Sequence, residues 1–83
     1  MPWIIDRDLT PQGKGRYQTS PTFTPHDDFR CRYQFRLIDG EGKARYYGRS
    51  TVPDVYAPLD DFGVPEGCIR IEYFNGKKGW YAL

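Results

Sequence analysis

The chain has 83 residues, and its 12 Lys and Arg stand against 11 Asp and Glu for a net charge of +1, a balance too even for a dedicated nucleic-acid domain. No apolar run approaches the roughly 20 residues of a membrane span, and Met1-Pro-Trp-Ile-Ile-Asp-Arg7 is too short and too soon charged for a signal peptide, so the expected location is cytoplasmic. A chain this short forms one small domain and buries only about 60 to 65% of its unfolded surface, which calls for a core rich in its seven Tyr, five Phe and two Trp.

Residues 1–29 read as an irregular arm, either loosely ordered or laid across the sheet. Trp3-Ile4-Ile5 is apolar enough to pin its start to the domain as a short edge strand, but from Asp6 to Phe29 the chain is polar, carries Pro11, Pro21 and Pro25, and has no helical or alternating period. Gly13-Lys14-Gly15-Arg16 has the composition of a phosphate-cradling loop without the spacing or the strand-to-helix setting that such a loop needs, and reads as a turn. His26, the one histidine, lies beside Asp27 and Asp28. A general base oriented by a carboxylate is one reading of this trio, and an exposed loop histidine is the plainer one.

Residues 30–83 read as a compact ββ(α)ββ unit. In Arg30–Ile38, Cys31, Tyr33, Phe35 and Leu37 alternate with Arg30, Arg32, Gln34 and Arg36, and a period of two sends the sets to opposite faces of a strand. The Asp39-Gly-Glu-Gly42 turn leads into Lys43–Arg49, where Arg45, Tyr47 and Arg49 are in phase. One face of this hairpin is core. The other is a guanidinium ladder around Tyr47.

Ser50–Gly67 contains three prolines and two glycines, which exclude a long helix. A short helix or helical turn from about Pro58 to Gly63 fits the start and stop signals, with Asp60 and Asp61 at its positive end and Leu59 and Phe62 capping the sheet. Cys68–Phe74 alternates again, with Ile69, Ile71 and Tyr73 on one side and Arg70 and Glu72 on the other. Asn75-Gly76 is a hairpin turn signal that leads into a last strand around Trp80. The predicted fold is α+β or mainly β: a small antiparallel sheet of two β-hairpins with one short helix or helical turn between them. Its predicted core is Tyr33, Phe35, Leu37, Tyr46, Leu59, Phe62, Ile69, Ile71, Tyr73 and Trp80. In these phases Cys31 faces the core and Cys68 does not, so the two thiols are expected reduced.

The sequence holds no nucleophile elbow, paired Cys motif, metal-ligand spacing or cofactor motif. No catalytic residue, cofactor or metal is assigned, and no enzymatic activity is expected. Charge is unevenly placed. Residues 29–50 sum to +4, while residues 51–66, with Asp54, Asp60, Asp61 and Glu66, sum to −4. The candidate binding residues are therefore Arg32, Arg36, Arg45, Tyr47 and Arg49 at one pole, and Asp54, Asp60, Asp61 and Glu66 at the other. Arginine and tyrosine are hot-spot residues of protein interfaces, so a protein partner is the first reading. Direct nucleic-acid binding by the arginine and tyrosine face is the alternative.

At Phe35-Arg-Leu-Ile-Asp-Gly40, Tyr46-Tyr-Gly-Arg-Ser50 and Tyr56–Tyr73 the chain resembles small uncharacterised accessory proteins of phages and plasmids, over about residues 31–83. The resemblance brings no catalytic residue. It implies a protein that binds and blocks a larger host machine, as anti-CRISPR inhibitors do, with a host protein or protein–nucleic acid complex as partner and no membrane.

Overall fold

The structure is a computed structural model that describes residues 1–83. Five strands form one antiparallel sheet: β1 Trp3–Asp8, β2 Tyr33–Asp39, β3 Ala44–Ser50, β4 Cys68–Asn75 and β5 Gly79–Ala82, in the spatial order β1-β3-β2-β4-β5. Two hairpins, β2–β3 and β4–β5, lie side by side through β2–β4 pairing. A fifth strand, β1, joins the outer side of β3. The two expected hairpins thus become a five-stranded sheet: the short edge strand expected at Trp3-Ile4-Ile5 is present and continues through Asp8, within the stretch read as irregular.

The β2–β3 turn is organised by Asp39, whose Oδ1 accepts hydrogen bonds from the backbone of Glu41 and Lys43, both at 2.9 Å. Asn75 does the same for the second hairpin, accepting from Lys77 N at 2.9 Å. These short polar side chains satisfy turn N–H groups that strand pairing leaves over. Between the hairpins, Leu59–Gly63 forms a single wide helical turn, with Val64 N donating to Leu59 O at 2.7 Å. A 3-10 turn covers Pro25–Asp27.

One face of the sheet is covered. Trp3, Ile5, Phe35, Leu37, Tyr46, Leu59, Cys68, Ile71 and Tyr73 form its buried cluster, with Phe62 packed against it. The helical turn forms the lid of this core: Leu59 is buried in it, and the Phe62 ring sits edge-on to Tyr46 with centroids 4.9 Å apart. The loop before it is tied down by Tyr73, whose hydroxyl donates to Val55 O at 2.8 Å, and by Tyr81, whose hydroxyl donates to Asp54. The molecule is a slab, 34 × 32 × 18 Å.

Three expected core residues are placed elsewhere. Tyr33 stands at the exposed start of β2, and Trp80 lies on the opposite face of the sheet. Ile69 is 68% exposed because it is the extra residue of a bulge: Ile38 pairs with Arg70, but Asp39 pairs with Cys68. An inserted residue reverses the phase of everything beyond it. Cys68 therefore turns into the core, whereas Cys31, ahead of β2, is buried outside the main cluster. The thiol phases are thus the reverse of those expected, and both cysteines are free.

Bulges also occur in β1 at Asp6 and in β3 at Arg45. The first lets Asp6 and Arg7 stand on the uncovered side while Asp8 turns back to the core side. There Asp8 anchors the arm, accepting from Gly15 N at 2.5 Å and from Thr10 N at 2.8 Å. Gly15 approaches so closely that an added Cβ would lie 2.7 Å from Tyr46 and 2.9 Å from Phe62. Farther along, the arm runs beside the outer edge of β1, with Ile5 N donating to Gln18 O and Tyr17 N to Ile5 O, both at 2.8 Å. The β1 edge is thereby closed. The β5 edge has no strand beside it.

Candidate functional site

The second face of the sheet is only partly covered: residues 28–31 reach Arg49 at one end and Ile4 and Ile38 are buried on it, whereas Phe74 stands 45% exposed. Its middle row crosses four strands as Arg7, Tyr47, Arg36 and Glu72, set side by side by the strand register. The Arg36 guanidinium lies 4.4 Å from the centroid of the Trp80 ring and makes a 2.7 Å ion pair with Glu72. Trp80 in turn meets Phe74 at 5.3 Å and Tyr47 at 5.7 Å, both edge-on. Arg7 sits over the other side of Tyr47, 5.3 Å from its centroid. The result is a continuous layer of alternating rings and guanidiniums, an arrangement favoured by the ring quadrupole.

The next row holds Arg49, which is fully engaged. Its Nε and Nη2 donate to the two carboxylate oxygens of Asp6 at 2.8 and 3.1 Å, Nη2 also reaches Asp28 at 2.9 Å, and Nη1 donates to the carbonyls of Asp28 and Cys31. The Asp6 hydrogen bonds first, and then those of Asp28, outweigh burial and raise the Arg49 pKa. Arg45, at the bulge of β3, is bound to Asp39 at 2.6 Å. Arg70 joins Arg36 on Glu72, at 3.1 Å. Arg32 and Arg7 have no ion pair.

Between Arg49 and Trp80 lies a concavity of about 230 Å3, lined by Asp6, Arg7, Gln34, Tyr47, Arg49 and Trp80. Tyr47 and Trp80 supply aromatic walls, and Gln34 supplies an amide.

Of the nine residues singled out from the sequence, Arg36, Tyr47 and Arg49 are brought together on this face. Arg32 lies at its end, just ahead of β2, and Arg45 is drawn off to the hairpin turn. The acidic four are not on it. Asp60 and Asp61 are exposed on the helical turn whose Leu59 enters the core, and Glu66 follows in the same connection. They lie over the covered face, where a shallow groove has Lys14 and Gln18 on one side and Asp61 and Glu66 on the other. Asp54 holds the Tyr81 hydroxyl. The two poles occupy opposite faces of the slab.

Sequence reasoning missed Trp80, Phe74, Arg7 and Asp6. The three-residue loop Gly76–Lys78 pairs Phe74 with Trp80, so the two share a side, and that side is opposite Tyr73 in the core. Asp6 and Arg7 were hidden in a segment read as irregular. Elsewhere, His26 is exposed while Asp27 caps Thr24 and Asp28 binds Arg49, so both neighbouring carboxylates are engaged away from the imidazole. In the Gly13–Arg16 turn the Gly15 N–H is taken by Asp8. No group of three or more His, Cys, Asp or Glu side chains lies close enough together to hold a metal ion. No helix is long and apolar enough to cross a membrane. Comparison with family models, curated proteins and solved structures finds no match to the chain.

Proposed function

We propose that this chain is a non-enzymatic protein-binding module that docks through the uncovered face of its sheet, with Tyr47, Phe74 and Trp80 as anchors and Arg7, Arg32 and Arg36 around them. The observation that carries this reading is the internal pairing of the arginines. Phosphate recognition needs free cations whose counterions are released on binding, and Arg36, Arg45 and Arg49 already hold carboxylates at 2.6 to 2.8 Å. What remains is a surface of Trp, Tyr and Arg whose unpaired charge is confined to Arg7 and Arg32, the composition of protein-interface hot spots. The resemblance to phage and plasmid accessory proteins supports a narrower form of the proposal: an inhibitor that occludes a host defence or nucleic-acid-processing complex, as anti-CRISPR proteins do.

The test is affinity capture from the native host, with nuclease treatment, using wild type, Trp80→Ala and the double variant Asp60→Lys with Asp61→Lys. Far-ultraviolet circular dichroism establishes that each variant is folded. A partner that is lost with Trp80→Ala and kept with the charge reversal supports the proposal. Retention by Trp80→Ala overturns the choice of face. Oligonucleotide binding with a steep salt slope by the purified protein would favour direct nucleic-acid recognition instead.

A further inference from the structure

Resting on that reading, we infer that the partner presents an acidic segment carrying an aromatic side chain, whose ring enters the concavity between Tyr47, Trp80 and Gln34 while its carboxylates meet Arg7 and Arg32. The sign of the charge follows from what is already paired. Every carboxylate on this face is taken: Asp6 and Asp28 by Arg49, and Glu72 by Arg36 and Arg70. The side chains left without a counter-charge are basic. Arg7 lines the concavity and Arg32 stands two residues ahead of Gln34. A basic segment would find no free carboxylate here, and a neutral one would leave both guanidiniums unanswered.

The ring follows from the shape and the walls. The concavity is about 230 Å3, the scale of one large side chain. Tyr47 and Trp80 meet at 76° with centroids 5.7 Å apart, so the two aromatic walls stand nearly perpendicular, and aromatic groups prefer offset and perpendicular contacts. The Gln34 amide supplies a donor and an acceptor for the backbone that carries the ring. Arg7, 5.3 Å over the Tyr47 ring, makes no ion pair and so keeps its N–H groups for a carboxylate.

The experiment uses the full chain and three synthetic capped pentapeptides at millimolar concentration: alternating Glu and Phe, alternating Lys and Phe, and alternating Glu and Ala. The two tryptophans supply the readout, since Trp80 lines the concavity whereas Trp3 is only 2% exposed in the core. The Glu and Phe peptide is expected to shift the Trp80 indole N–H resonance and leave that of Trp3 in place. The other two peptides are expected to bind more weakly. Arg7→Gln is expected to weaken the Glu and Phe peptide by up to about fivefold, the size of an exposed charge pair, and to reduce its salt dependence. Equal or stronger binding of the Lys and Phe peptide overturns the inference, as does a Glu and Phe response that appears beside Lys14 or nowhere. If the peptide fails while Trp80→Ala still loses the captured partner, this inference falls and the protein-binding reading stands. If Trp80→Ala keeps the partner, the protein-binding reading falls.

Discussion

Gly48 stands at the tightest point of the sheet, where β3 passes between β1 and β2. A Cβ there would lie 2.3 Å from the carbonyl oxygen of Ile4 and 2.6 Å from the ring of Phe35, and a strand backbone has no room to give way. Gly48→Ala is therefore expected to lower stability by about 1 to 3 kcal/mol, the range for forcing extra volume into a packed interior. Gly40→Ala, with nothing within 4 Å of the added Cβ, is the matched control in a urea titration. Asp39 gives a second residue-scale test. Hydrogen bonds from the Lys43 backbone first, then from Arg45, hold its carboxyl below the ordinary value. A lowered folded pKa means that the stabilisation is present above the unfolded carboxyl pKa of about 3.9 and is lost as pH falls through the folded one. Asp39→Asn should accordingly be less stable than wild type at neutral pH, with a shallower loss between about pH 5 and 2, as measured by denaturant midpoints. Burial pushes the Cys68 thiol up to about 11 and raises that of Cys31. At pH 8 both should react with a disulfide reagent only as the fold opens, and fast in denaturant. Rapid labelling at Cys68 in the native protein, located by peptide mass spectrometry, would show that this thiol is not in the core.

At the scale of elements, what the alternation pattern made legible was the inside of each strand. Phe35 and Leu37 against Gln34 and Arg36 oriented β2 correctly, and Ile71 and Tyr73 oriented the centre of β4. The reading failed where a bulge inserts a residue. At Ile69 it placed an exposed side chain in the core and a core thiol outside, because a period of two carries no information about a strand that stops keeping it. At Asp6 the same device disguised a strand as the start of an arm. Trp80 was misjudged for a related reason: its side is set by the register of the β4–β5 loop, a pairing between residues that a single strand's pattern does not contain. The arm itself was legible as irregular, with its attachment left open, since its anchors, the Asp8 carboxylate and the backbone hydrogen bonds of residues 17, 18 and 20 to β1, follow from no local period. Burial opposes ionisation of Asp8, but hydrogen bonds from Thr10 and Gly15 outweigh it and leave the carboxyl below its usual value. Asp8→Ala should release residues 10–18, and limited trypsin digestion should then cut after Lys14 or Arg16 many times faster while the sheet stays folded. Unchanged cleavage would mean that the backbone hydrogen bonds of Tyr17 and Gln18 to Ile5 suffice to hold the arm.

At the scale of the whole molecule, charge placement changes meaning once the chain is folded. Along the sequence a basic stretch is followed by an acidic one, which suggests two poles of one contact surface. In the slab the acidic residues lie over the covered face and the arginines on the bare one, so a flat partner touches one pole or the other. The arginines, moreover, are largely answered by carboxylates far away in the chain, Asp6 with Arg49 and Glu72 with Arg36. Charge counted within a window of sequence overstates the field that a partner meets. The expected result is a binding reaction with mild salt dependence, since most charges on the face exchange nothing with solvent ions when it is covered.

The two borders of the sheet differ. The first is closed by residues 17–20 of the arm, while the last strand, Gly79-Trp80-Tyr81-Ala82, is uncharged and unaccompanied. An open border with no lysine, proline or bulge is a template for another strand. With only one such border per molecule, however, strand-to-strand association ends when two copies have met. Filament growth by that route needs a second free border, and the arm removes it. The hydrogen bonds of residues 17–20 to Trp3 and Ile5 thus set the number of free borders at one, and releasing them would make it two.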